Sequence, residues 1–206
     1  TLLNQVESKS NYNKNVLKIT ETEDKTKRID KDGTIYERVS AQSGYEVTNE
    51  IDSSPQIIGL LGDYIFKRTI KNKLLDEVII NDFKEKLLNK GFTEEVITEI
   101  IQELQLKSEQ LQRQLNSISP EILGTDILVK GILDDRNEAG EIDLVSKSIS
   151  GTVNIIDLKV TSGRPNMEAY TNQLNRYSKL LSQEHENIND IRLYVFKIPY
   201  SFIGVN

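Results

Sequence analysis

Hydrophobic and polar positions follow two different rhythms along this chain. From about 55 to 69 the apolar residues Ile57, Ile58, Leu60, Leu61, Ile65 and Ile70 recur at helical spacing, with Lys67, Arg68, Lys71 and Lys73 on the wet side. Ser53-Ser54-Pro55 supplies a cap and a first-turn proline. A second helix is predicted from about 74 to 89, stopped by Lys90-Gly91, and a third from Thr93-Glu94-Glu95 to about 117. Together they form a helical hairpin at 74–117, whose apolar stripe is too short and irregular for a dimerising coiled coil. Ser119-Pro120 breaks the third helix. The period then falls to two, which predicts strands at 127–133, 142–145 and 153–160, with turns at 134–140 and 147–151. A helix over 166–182 and a strand over 191–198 close the chain. The order predicts an α/β fold: a central mixed β-sheet with an α-β-β-β-α-β core and the helical hairpin inserted after its first helix.

Residues 1–54 form a polar segment ahead of this 55–206 domain. Segments 16–20 and 34–39 read as two strands around the turn Asp30-Lys31-Asp32-Gly33, with the charged stretch 21–27 between. A short N-terminal β-hairpin and a disordered lead-in both fit. The 206 residues, 37% hydrophobic, suffice for one core with a helical attachment. No apolar run approaches the ~18 residues that span a bilayer, and no secretory signal opens the chain, so a cytoplasmic protein with no membrane partner is expected. The absence of cysteine excludes disulfides, thiolate zinc sites and a cysteine-held iron–sulfur cluster. The single histidine, His185, sits in a polar stretch that reads as a solvated loop. The chain opens on Thr1 and stops at Asn206 after a strand-like run, which reads as a piece of something longer. Its abundance of Lys, Asn and Ile fits an A·T-rich, virus-like coding source.

The chemistry concentrates in Gly140-Glu141-Ile142-Asp143-Leu144-Val145 and Gly151-Thr152-Val153-Asn154-Ile155-Ile156-Asp157-Leu158-Lys159. Alternation along a strand puts Asp157 and Lys159 on one side. Pairing the two runs as a hairpin brings Asp143 beside Asp157. Two carboxylates and a lysine at a sheet edge suit a hard divalent cation and proton transfer. Burying such charges is costly and asks for a purpose. The plainer reading makes both aspartates strand-end charges that block edge pairing, with Lys159 their ion-pair partner. Gln173 and Tyr177 are four apart and share one helix face. With Tyr170, Leu174 and Leu181, Tyr177 also fits a core stripe. Asp134, Asp135, Asn137 and Glu138 read as a hairpin tip.

The order of Asp143, a hairpin, Asp157-Leu158-Lys159 and then Gln173-Leu174-Asn175-Arg176-Tyr177 resembles the PD-(D/E)XK nuclease superfamily, within it the RecB-type exonuclease group with its Gln-x-x-x-Tyr signature. The likeness is architectural over 56–198 and specific over 140–177. It implies a restriction-endonuclease-like fold and metal-dependent hydrolysis of DNA phosphodiester bonds, by an exonuclease or an end- or flap-processing nuclease. It implies that Asp143 and Asp157, with the backbone carbonyl of Leu158, hold Mg²⁺ or Mn²⁺. Lys159 then orients or deprotonates the attacking water or neutralises developing charge. Gln173 and Tyr177 hold single-stranded or end-containing DNA, and Thr161 and Ser162 contact phosphates. The helical hairpin clamps the strand or docks a helicase or another replication or recombination protein. The net charge of −6 argues against coating nucleic acid by charge alone, but not against an enzyme whose cations supply the positive field. The chain departs from the pattern in lacking a histidine ligand on the first helix. Asp63 is read as taking that place, the alternative being a helix-surface aspartate, with Glu141 a further candidate carboxylate. Two other functions stay open: an RNA endonuclease of the same superfamily resembling cap-snatching domains, and a non-catalytic nuclease-fold module for nucleic-acid binding or assembly.

Overall fold

Two aspartates turn the central hairpin. The computed structural model of the protein describes residues 20–21, 27–30, 32–42, 53–161, 166–185, 188 and 190–199. In it Asp134 and Asp135 both take left-handed backbone, with φ of 51° and 62°. Two successive residues with positive φ make the two-residue loop that matches the twist of paired strands, and aspartate enters this region more readily than most residues. The turn predicted at 134–140 therefore shrinks to two residues. Strands β4 (Glu121–Leu133) and β5 (Arg136–Lys147) pair antiparallel from Leu133↔Arg136 to Glu121↔Lys147. Glu138, expected at a hairpin tip, lies instead within β5 and is fully buried.

The described residues fall into two compact units. One holds those within Thr1–Val47, Ser119–Asp157 and Asn166–Val195; the other holds those within Thr48–Ile118, Leu158–Pro165 and Phe196–Asn206. The sheet strands gather the N-terminal hairpin into the first unit, and the three long helices that follow it belong to the second.

In the first unit β1 (Thr20–Glu21), β2 (Lys27–Ile29) and β3 (Ile35–Arg38) pair antiparallel in sequence order. The turn between β2 and β3 is held by Asp30 N–H to Thr34 O and Gly33 N–H to Asp30 O, each 2.9 Å, with Gly33 at φ 83°. The partner of the 35–38 strand is thus 27–29, not the predicted 16–20, of which only Thr20 is described. Lys27 stands opposite Glu37 in this pairing, a favourable cross-strand charge pair. β3 continues into a four-residue helix, α1 (Val39–Gln42), and pairs parallel with β5 at Glu37↔Glu138 and Arg38↔Ala139. β6 (Val153–Thr161) pairs antiparallel with β5, and β7 (Ile191–Pro199) lies beside β6, giving the order β1-β2-β3-β5-β6-β7 with β4 joined to β5. Helix α5 (Met167–Glu184) is capped by Asn166, whose side chain accepts from Ala169 N–H. It packs Leu174, Tyr177, Leu180 and Leu181 into the core that also holds Val129, Val145 and Ile155. Its last turn covers the outer edge of β4. Gln183 exchanges hydrogen bonds with the Ile132 backbone, and Glu184 accepts from Lys130 N–H, which satisfies groups an exposed edge would offer to another strand.

The second unit holds α2 (Ser54–Ile70), α3 (Glu77–Leu88) and α4 (Glu94–Ile118). Pro55 sits in the first turn of α2 as predicted, although Ser53 makes no side-chain cap bond. Leu60 lies off the apolar face and is exposed. α3 begins three residues later than predicted, because Asp76 caps it at Val78 N–H and the Leu74 carbonyl is held by Arg68. Gly91, at φ 87°, ends it. α2 buries Ile57, Leu61, Ile65 and Phe66, α4 buries Ile97, Ile100 and Leu104, and Gln112 of α4 donates to Thr69 O at the end of α2. No helix among the described residues is long and apolar enough to cross a membrane.

The buried Glu138 is gripped by Arg176 of α5, whose Nε donates to Oε2 at 2.8 Å and whose Nη2 pairs with Oε1 and, at 3.1 Å, with Asp134. Removing one partner of a buried pair leaves an uncompensated charge. Arg176→Ala is therefore expected to lower unfolding stability by about 3 kcal/mol, read from urea denaturation. Replacing both partners, Glu138→Leu with Arg176→Met, should restore most of the loss.

Candidate active site

The register of β5 with β6 decides which side chains meet. It runs from Lys147↔Val153 to Leu144↔Ile156. One step further along each strand stand Asp143 and Asp157. Residues in opposite positions share a face, with Cβ atoms roughly 5 Å apart. Asp157 is buried and Asp143 half-buried.

The ladder also opens at this point. β4 lines one side of β5 along its length. On the other side β3 pairs with Glu138 and Ala139 and β6 with residues from Leu144 onward, so among the described residues no strand pairs with 140–143 there. On the β4 side the register passes from Thr125↔Leu144 to Ile127↔Ile142 and skips Asp126 and Asp143. Asp126 is left-handed there, with φ 54°. Positive φ inside a strand at a non-glycine residue is uncommon and clusters near functional sites.

Helix α5 brings Tyr177 to the same place. A Cβ added at Gly140 would collide with the Tyr177 ring and lie 3.1 Å from the Val39 side chain, so the missing side chain of Gly140 is what lets the ring approach β5. Gln173, one turn earlier, donates from Nε2 to the Tyr177 hydroxyl at 2.9 Å, and both residues are buried. A hydroxyl that accepts in this way keeps its own proton for donation. Burial holds that proton on Tyr177 well above the usual tyrosine range. The Gln173 bond and the charge of Arg28 oppose the shift, and the negative charges of Asp157 and Asp143 add to it. The hydroxyl therefore lies within Coulombic reach of both carboxylates.

Four of the residues singled out in the sequence, Asp143, Asp157, Gln173 and Tyr177, thus gather at the opening of the ladder. Leu158 and Lys159 follow in β6 where the strand passes into the second unit; Leu158 is buried and Lys159 half-buried. Alternation sets Lys159 on the Asp157 side of that strand. Thr161 ends β6, and its side chain and Ser162 lie outside the described residues. Asp63 belongs to α2 of the second unit, where Lys67 pairs with it at 2.7 Å, one turn on. Glu141 is exposed and meets Arg28 Nη2 at 3.8 Å. His185 follows the end of α5 and is half-buried.

No group of three or more His, Cys, Asp or Glu side chains suited to a metal ion occurs among the described residues. What is present is a pair of carboxylates. One oxygen of the pair, Asp157 Oδ2, is shut from solvent and accepts no hydrogen bond, although the residue has other interactions. Such hard oxygen donors fit Mg²⁺ or Mn²⁺, which keep several waters and use one or two carboxylates. The sequence reading missed Gly140 as a contact point by giving it to a turn. A lone glycine in a strand-like run was the available signal. The chain matches no model of a known protein family and none of the curated proteins.

Gly140→Ala is expected to cost about 1–3 kcal/mol, the usual penalty of overfilling a packed site, and to change the near-ultraviolet circular dichroism of the tyrosines as Tyr177 is displaced. Unfolding at wild-type denaturant concentration would show that the ring does not depend on this close approach.

Proposed function

We propose that the chain is a metal-dependent nuclease that hydrolyses DNA phosphodiester bonds and acts at ends or flaps. The observation that carries this is the convergence of Asp143 and Asp157, set across from each other by strand register, with the Gln173–Tyr177 pair from the next helix. The same four residues, with Lys159, carry the sequence resemblance, and a core stripe alone gives no reason for two carboxylates to stand beside a buried tyrosine.

In this reading Asp143, Asp157 and the Leu158 carbonyl hold Mg²⁺ or Mn²⁺. The bound cation would make a coordinated water more acidic and offset charge on the phosphate. Lys159 holds the attacking water or neutralises the charge that develops. Tyr177, kept protonated, donates to a carboxylate or phosphate oxygen, and Gln173 fixes its hydroxyl in place. Partners proposed for the helical segment 74–117 are the nucleic-acid strand or a helicase-type protein.

Asp143→Ala, Asp157→Ala and Lys159→Ala are each expected to cut cleavage of a labelled single-stranded DNA by at least about 10²-fold, with thermal melts close to wild type. Calorimetric titration with Mn²⁺ should show binding by the wild type that Asp157→Asn loses. Cutting retained by all three alanine variants would end this mechanism. A wild type that neither binds Mn²⁺ nor cuts DNA or RNA would instead support the non-catalytic module.

A further inference from the structure

Two consecutive residues of α5 are seated on two successive positions of one face of β5. Residues two apart along a strand return to the same face about 7 Å on. Glu138 and Gly140 are such a pair, and both meet α5: Arg176 grips the first and the Tyr177 ring lies against the second. The two seats differ in kind. At Gly140 close packing holds the ring by shape alone. At Glu138 the guanidinium takes both carboxylate oxygens, Oε2 through Nε at 2.8 Å and Oε1 through Nη2, and Nη2 also reaches Asp134 at 3.1 Å. Such a fork fixes distance and plane together, whereas apolar contact is non-directional.

We infer that Arg176 is a positioning residue, whose fork with Glu138 sets the rotation and height of α5 so that the Tyr177 hydroxyl stands correctly against Asp143 and Asp157. The inference rests on the nuclease reading above. The setting of the pair argues against stability as its purpose. Glu138 is wholly buried and the Arg176 side chain only 20% exposed. Desolvation of two buried charges offsets much of their attraction, and apolar residues of similar volume often hold a fold equally well. What apolar residues lack is direction, and Tyr177 requires it. Its ring follows Arg176 immediately in the chain, so a turn of the helix would swing it off Gly140. That turn would also move the hydroxyl, which accepts from Gln173 at 2.9 Å and feels the charges of Asp157 and Asp143. A displacement of about 1 Å near reacting groups can cost about 10²-fold in rate. The two carboxylates are set by the β5–β6 register and not by α5, so cation binding should survive loss of the fork.

The test is steady-state cleavage of a labelled single-stranded DNA in Mn²⁺ by the Glu138→Leu/Arg176→Met double variant, beside its thermal melt and a calorimetric Mn²⁺ titration. The melt and the Mn²⁺ affinity should stay close to wild type while kcat falls at least about tenfold with KM little changed. In a Tyr177→Phe background the same double replacement should lower kcat little further, because residues that act through one another are not additive. A double variant that is stable and cuts at the wild-type rate would overturn the inference. So would a fall in kcat that comes with lost Mn²⁺ binding, or one that is fully additive with Tyr177→Phe. Should the double variant fail to fold, Arg176→Lys decides, since it keeps the charge without the fork: a lower kcat at unchanged Mn²⁺ affinity upholds the assignment, and wild-type kcat rejects it. Failure of the nuclease reading is distinguishable, because it shows as a wild type that does not cut or an Asp157→Ala variant that cuts as well, and it takes this inference with it.

Discussion

Everything proposed for this chain depends on the antiparallel register of β5 with β6. A slip of one residue would send every side chain of one strand to the other face of the sheet. Asp143 and Asp157 would then point apart. The register is fixed by apolar positions on both strands, because Val145 and Ile155 stand opposite each other and belong to the core under α5. The tight loop at Asp134 and Asp135 sets the other register, that of β4 on β5. The hydrophobic pattern therefore positions two charges that it would never tolerate alone.

Around those charges the sheet is less regular than elsewhere. β5 gives up its neighbours over 140–143 on one side and skips a rung at Asp143 on the other. Regular pairing would spend the local backbone groups on a ladder and fill the space with side chains. The Tyr177 ring lies over Gly140 instead, and its hydroxyl feels the charges of Asp143 and Asp157. Buried polar groups are held because they satisfy one another, as Gln173 and Tyr177 do.

The pair Glu138–Arg176 shows the same logic in a structural role. Its geometry is a two-point fork in a buried setting, and it ties α5 to β5 a few residues from Asp143. Helix and strand are thus fastened just ahead of Asp143, by ions at 138 and by close packing at 140.

Periodicity alone was enough to reveal the element order, the breaks at Ser119-Pro120 and Gly91, and the face shared by Gln173 and Tyr177, because helix and strand spacing and the breakers are local properties of the chain. Local pattern also let Asp143 be matched to Asp157, since a hairpin has few registers that keep its apolar side inward. It misjudged the turn at 134–140, because whether two aspartates accept left-handed backbone depends on the strands they must join. It put the wrong partner beside the 35–38 strand, because the three residues 27–29 are too short and too charged to show a strand period. Long-range pairing, the buried fork at Glu138 and the approach of Tyr177 to Gly140 were decided by tertiary structure alone, since each needs segments distant in sequence to be brought within a few ångströms before any energy is gained.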